Sequence, residues 1–238
     1  MDFDVFKNRV SMSKEDMYRE FFQENRDRIK IKKAPVAVKN LIKISEATLA
    51  LSNRKGFSAM SMRDLSAEAG LSIGALYSYF SSKDELIDMI QQQSMRVVTR
   101  VLVDQLTGID DPHLKLKQAI YAHLYLSEIM HTWFYFSYME AKNLTKKVQK
   151  RAIELELFTE KIFIDIIERG KQDRTFRDVN KELVAAMIKA ILQDWYLKRW
   201  KYEMRNISVE QYARFLIDLV ESYLLPREKA VMGAKSWM

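Results

Sequence analysis

Cysteine is absent from this chain, and glycine and proline are scarce: six and three in 238 residues. Without cysteine there are no disulfides, no thiolate metal sites and no thiol nucleophile, which fits a reducing cytoplasm as the expected location. Few glycines and prolines mean few helix breakers. With Met, Leu, Ile, Glu and Lys abundant, an all-α fold of one large or two small domains is expected. No apolar run approaches the roughly 18–20 residues of a membrane span, so no membrane partner is expected. Asp2 and Asp4 stand where a signal peptide carries positive charge, so none is expected. The chain also lacks any phosphate-cradling glycine loop and has only three histidines. No catalytic residues and no cofactor are therefore expected, and an enzyme is disfavoured. His123, Glu128 and His131 have metal-ligand chemistry, but the two imidazoles stand eight residues apart, two helical turns, so no metal site is expected.

Positive charge, by contrast, is concentrated. Residues 26–55 hold nine Lys/Arg (26, 28, 30, 32, 33, 39, 43, 54, 55) against two acids, a local excess of +7. The whole chain also carries +7, so the remainder is neutral in sum. A polyanion partner is expected at that end.

The next stretch, residues 61–83, reads as two short helices around a glycine turn. Ser61 is placed to cap the first, with Asp64 three residues on in capping-box spacing. Met62, Leu65 and Ala69 share one face, and Gly70 suits a left-handed stop. Ser72 is placed to cap a second helix from Ile73 to about Tyr79. Ala67, Leu71 and Leu76 are spaced to pack the pair together. Ser82-Lys-Asp-Glu85 is another capping box, opening a long helix. This is a helix-turn-helix pattern, whose second helix can enter a DNA major groove.

With Gly56-Phe57 before it, Met62-Arg-Asp-Leu-Ser-Ala-Glu-Ala-Gly70 and Ser72-Ile-Gly-Ala-Leu-Tyr-Ser-Tyr-Phe80 within it and Lys83-Asp-Glu-Leu86 after it, residues 36–90 resemble the N-terminal domain of TetR-family transcriptional regulators. The resemblance implies a TetR-like arrangement: an N-terminal helix-turn-helix DNA-binding domain (35–84), then a helical ligand-binding and dimerisation domain (85–226). An N-terminal extension with a basic arm (1–34) would precede them and a tail (227–238) would follow. It places base contacts in the first turn of the recognition helix, here Ser72, Ile73, Gly74 and Ala75. Phosphate contacts would fall on Tyr77, Tyr79 and Lys83. Arg63 can reach a base or phosphate, or pair locally with Asp64 or Glu68. Ser72 is the only polar side chain of that first turn, so sequence is expected to be read partly through DNA shape and through the basic arm.

The flanking segments leave alternatives open. Ser13 can cap a helix carrying Met17, Phe21 and Phe22, and the first dozen residues are expected to be mobile. The basic run 26–33 can follow phosphates or enter the minor groove, or be a solvated run or a docked helix. Helices are expected at 36–54, 83–106, 145–171 and 181–204, with a last one capped by Ser208. Residues 112–140 are dense in aromatics and methionine, which suits either a packed core or the wall of an apolar pocket. Under the pocket reading, His123, Met130, Trp133, Phe134, Tyr138 and Trp195 are the candidate ligand residues.

The function this implies is a homodimeric transcriptional regulator, as a repressor on a palindromic operator. A hydrophobic small-molecule effector, a fatty acyl thioester or an aromatic compound, would release it from DNA. It would be cytoplasmic and associated with the nucleoid. The alternative on the same fold is a DNA-bound protein-interaction regulator of nucleoid-occlusion type, with many chromosomal sites and a protein partner.

Overall fold

The computed structural model describes residues 2–226, with side chains described except at 9, 11–14 and 143. The tail at 227–238 therefore lies outside what is described, and Ser13, expected to open a helix, falls by its backbone inside one that starts at Phe3. The described residues form helices and contain no strand. The helices are α1 (Phe3–Glu24), α2 (Ala34–Lys55), α3 (Met62–Ala69), α4 (Ile73–Leu76), α5 (Lys83–Leu106), α6 (Pro112–Ile129), α7 (His131–Met139), α8 (Lys146–Gln172), α9 (Lys181–Leu197), α10 (Arg199–Met204) and α11 (Val209–Leu224), with a 3₁₀ turn at Ala141–Asn143. They divide into two compact units, and α1, α5 and α8 each contribute residues to both. The first holds Lys7–Arg100 and Met130–Glu154; the second holds residues up to Phe6, Val101–Ile129 and those from Leu155 onward.

In the first unit, α2 starts with Pro35 in its opening turn, where a missing N–H costs nothing. Ala37, Val38, Leu41, Ile44 and Leu51 are buried along one side. The helix stops at Gly56, whose φ of +83° suits glycine, with its N–H donating to Ser52 O. Phe57 is buried and meets Phe136 of α7 edge-on, with ring centroids 6.2 Å apart. Asn53 Nδ2 donates to Thr132 O at 2.9 Å, so α7 packs on α2. Around α5, Asp88 takes Lys147 at 3.0 Å and also Arg151.

Helix α1 also belongs largely to this unit, with the backbone helical from Phe3. Val10, Met17, Tyr18, Phe21 and Phe22 recur at helical spacing and are buried. Burial pushes the Tyr18 phenol up to about 12, against a hydrogen bond with Ser45 of α2. Glu20 pairs with Arg100 at 2.7 Å, and Glu24 pairs with Arg96.

In the second unit the later half of α6, from Ala119 to Ser127, is buried except for a half-exposed Tyr121, and the helix packs against α9 and α11. The expected single helix over 181–204 is broken at Lys198. There the Asp194 carboxylate accepts from Lys198, Lys201 and Tyr202, and α10 turns back. That turn stacks Tyr202 on Trp195 at 5.1 Å, with Tyr212 against both rings. Burial holds Tyr202 up to about 12.

Candidate nucleic-acid interface

The motif folds as its local chemistry dictates. Ser61 accepts from Asp64 N while the Asp64 carboxylate accepts from Ser61 N, closing a capping box on α3. Hydrogen bonds from Lys55 and Ser61 hold the Asp64 carboxyl well below the usual range. Gly70 sits in the left-handed region at φ +63° and ends α3. Ser72 then accepts from Ala75 N and starts α4.

Helix α4 is shorter than the pattern predicts. It closes at Leu76, and Tyr77–Tyr79 continue as a tight turn, with Ser78 N donating to Ala75 O and Tyr79 N to Leu76 O. Leu65, Ala69, Leu76 and Phe80 form the core behind the motif. Ala67, expected in that seam, is exposed instead: it lies on the opposite side of α3 from Leu65 and Ala69.

The outward face is where the pattern places it. Ser72, Ile73 and Gly74 are exposed, Ala75 is half-buried, and nothing lies within 4 Å of where a Gly74 Cβ would stand. Ile73 is 39% exposed and Tyr77 44%, high for large apolar side chains. Arg63 is exposed and makes no ion pair among the described residues: Asp64 is taken by Lys55 at 2.5 Å, and Glu68 by Arg54 at 2.6 Å. The local pairing open to it in the sequence is not formed.

Two expected phosphate contacts need correction. Tyr79 is only 3% exposed, and its hydroxyl accepts from Asn40 Nδ2 at 2.9 Å, so the phenol is turned into the domain. Lys83 donates from Nζ to Ser58 O at 3.0 Å and Met60 O at 2.8 Å, and its ammonium lies 4.7 Å from the centre of the Phe57 ring. Desolvation lowers its pKa. Lys83 thus ties down the loop between α2 and α3. Lys83→Ala is expected to destabilise the chain by about 1–3 kcal/mol, the range for charge-assisted hydrogen bonds, and to leave the salt dependence of DNA binding unchanged. Thermal denaturation beside a salt titration checks this; an unchanged melting temperature with a shallower salt slope would return Lys83 to the phosphates.

The six candidate ligand residues are not gathered around one described cavity. In the second unit, His123 is buried with Nε2 3.1 Å from Lys189 Nζ, which also donates to Thr159 Oγ1 at 2.7 Å. Burial, then the Lys189 charge, push the imidazole pKa well down. Trp195 is buried in its aromatic stack and donates to Glu128 Oε2 at 3.0 Å. In the first unit, Trp133 and Phe134 are buried edge to face, Met130 caps α7, and Tyr138 is exposed. A groove of about 670 Å³ does exist within the second unit. Val103, Leu106, Phe158, Ile162 and Ile166 give it apolar walls, and Lys115, Arg169, Asp110 and Asp165 a charged rim. Its lining comes from α5, the 107–112 loop, α6 and α8, and includes none of the six.

The fold and this exposed face define a helix-turn-helix DNA-binding protein. The family model for bacterial regulatory proteins of the tetR family matches residues 44–90, and that for the Tetracyclin repressor-like C-terminal domain matches residues 110–222. The chain belongs to the TetR family of transcriptional regulators. It is 23% identical over 190 residues to the HTH-type transcriptional regulator HbdR of Aromatoleum sp. (strain CIB), covering 80% of this chain and 83% of that one. It is 26% identical over 168 residues to the HTH-type transcriptional repressor KstR2 of Mycolicibacterium smegmatis, covering 70% and 81%. Among solved structures, the TetR-family regulator PfmR of Thermus thermophilus superposes with a TM-score of 0.68 at 27% identity, covering 77% of this chain and 99% of that one. AibR in complex with isovaleryl coenzyme A and operator DNA superposes at 0.63 with 16% identity, covering 76% and 97%.

Proposed function

We propose that this protein is a ligand-responsive repressor that binds a palindromic operator as a homodimer and is released by an acyl thioester. The observation that carries the DNA half is the exposed face of Ser72, Ile73, Gly74 and Tyr77 beside an Arg63 with no ion pair among the described residues, over a core closed by Leu65, Leu76 and Phe80. A large apolar side chain left in solvent on a helix of groove-entering type suits thymine methyl contact; the phenol and guanidinium beside it suit phosphate and base edges.

Dimerisation is supported by two exposed apolar stripes. On α9, Leu183, Ala186, Met187 and Ala190 are exposed on one face; on α11, Phe215, Leu219 and Tyr223 are exposed on another. Their spacing, three, four and seven residues on α9 and four and eight on α11, keeps each set on one helix face, and a two-fold axis would set the two recognition helices on successive major grooves. The effector reading rests on the groove, whose volume and apolar walls suit an acyl chain and whose Lys115 suits a coenzyme phosphate. AibR, a structural neighbour, holds isovaleryl coenzyme A.

The test is selection of genomic fragments by the purified full chain, then fluorescence anisotropy on the recovered sites with and without acyl coenzyme A of several chain lengths. An inverted repeat bound two chains per site and released by one chain-length class is the expected result. Recovery of no preferred sequence would overturn the regulator reading, and indifference to every acyl coenzyme A would overturn the effector. Many dispersed sites with no local operator would favour a DNA-bound protein-interaction role.

A further inference from the structure

The basic segment between α1 and α2 is a fixed part of the first unit. Asn25 Nδ2 donates to Phe21 O at 2.9 Å, and Asn25 O accepts from Arg28 N and Ile29 N, both at 3.0 Å. Ile29 is buried at 2% exposure and anchors the segment in the core. One residue on, Lys30 N–H donates to Ser78 O at 2.9 Å, which fastens the segment to the turn that ends the recognition helix. Arg28 reaches Glu85 at 3.6 Å. Upstream, α1 is held by its Glu20 and Glu24 pairs to Arg100 and Arg96. The backbone is therefore held from both directions.

What this backbone presents is charge without partners. Arg26, Lys30, Lys32 and Lys33 all lie outside the core, and none makes an ion pair among the described residues. Most other cations of the first unit are occupied: Arg54, Lys55, Arg96, Arg100, Lys147 and Arg151 pair with carboxylates, and Lys83 with carbonyls. Cations on a rim fastened next to Tyr77 and Ser78 raise the potential beside the groove-facing surface.

We propose that Lys30, Lys32 and Lys33, with Arg26, contact the DNA phosphates flanking each half-site, as a rigid extension of the helix-turn-helix. An arm that reads the minor groove must let its backbone leave the protein surface and follow the groove floor. Here the buried Ile29 and the Lys30–Ser78 bond forbid that for the middle of the segment. Only the long side chains are left to move, and ammonium groups on flexible stems suit phosphate oxygens better than base edges. The segment therefore adds affinity and salt dependence without adding sequence preference.

This rests on the regulator reading above. The experiment compares the full chain with the triple variant Lys30→Ala/Lys32→Ala/Lys33→Ala on the selected operator from about 50 to 300 mM salt. Each protein is also tested on the operator with scrambled flanks. Each lost phosphate contact lowers the log–log salt slope by about 0.9, so a dimer losing two or three per subunit should show a slope shallower by roughly 4–5. The loss of affinity should be the same on native and scrambled flanks, and Lys→Arg at all three positions should restore the slope. These side chains lie at the surface, so the melting temperature serves as the control. An unchanged slope would overturn the proposal, as would a loss confined to one flank sequence, which marks minor-groove reading. If the unsubstituted chain binds no DNA at all, the regulator reading itself fails, which is distinguishable from either result.

Discussion

Ile73→Glu is expected to abolish operator binding while leaving the fold intact. Ile73 is the first residue of α4 and is 39% exposed, so little packing is lost. A carboxylate in the first turn of a helix is favoured by the helix dipole, and surface changes of this kind usually stay within about 0.5 kcal/mol. On DNA the balance reverses. The same carboxylate would be driven into a groove lined with acceptors and flanked by phosphates, where like-charge juxtaposition costs several kcal/mol. At about 1.4 kcal/mol per tenfold, a loss of roughly 100- to 1000-fold follows. Anisotropy titration at fixed salt reads the loss, and a thermal melt reads the fold. Retained binding would mean that α4 does not face DNA.

A large stability effect is also expected at Gly170. This glycine lies within the last turn of α8, and Phe176 folds back on it, its N–H donating to Gly170 O at 2.9 Å. The return is made through Arg174, held at φ +56°. A Cβ on Gly170 would overlap Phe176 Cδ2 and Cε2 and stand 2.8 Å from Cγ. Carbon atoms do not tolerate such an approach, and the Phe176 ring is itself buried, so it cannot swing into solvent. In an ordinary helix position Gly→Ala gains up to about 1 kcal/mol. Here overpacking should outweigh that gain and leave a net loss of about 1–3 kcal/mol, or a melting temperature lower by roughly 3–10 °C for a chain of this size. Adding Phe176→Leu should recover part of the loss by freeing space. A Gly170→Ala protein that melts higher than the parent would show that the turn can open.

What could be read from the sequence was mostly what neighbours within four residues decide. The Ser61–Asp64 box, the Gly70 stop, the Ser72 cap and the Ser208 cap all depend on groups a few residues from the backbone atoms they satisfy. The box at Ser82 forms with a small shift: Ser82 accepts from Glu85 N, but the Glu85 carboxylate reaches back to Ser81. The outward direction of Ile73 and Tyr77 follows from the same periodicity. The misplacements among the phosphate candidates have distant partners. Tyr79 turns inward because Asn40, 39 residues earlier, offers its amide, and Lys83 is occupied by carbonyls more than twenty residues away. Neither partnership leaves a periodic signal. The break at Lys198 was hidden because every residue around it is a competent helix former, and it is the Asp194 carboxylate that gathers the following cations and phenol. The groove leaves no local signal for a related reason: its walls come from helices some sixty residues apart in the chain, whereas much of the most aromatic segment packs as core.

The return of the chain to α2 at residues 130–154 bears on how such a protein can be taken apart. A cut at the sequence boundary near residue 84 would remove α7 from the unit it belongs to. Phe57 would lose the ring of Phe136, and Asn53 its acceptor at Thr132. The DNA-reading end is therefore not a cassette. A hybrid that grafts residues 1–84 onto another sensor must inherit a replacement for α7 with the same apolar footprint, or carry an open flank on α2.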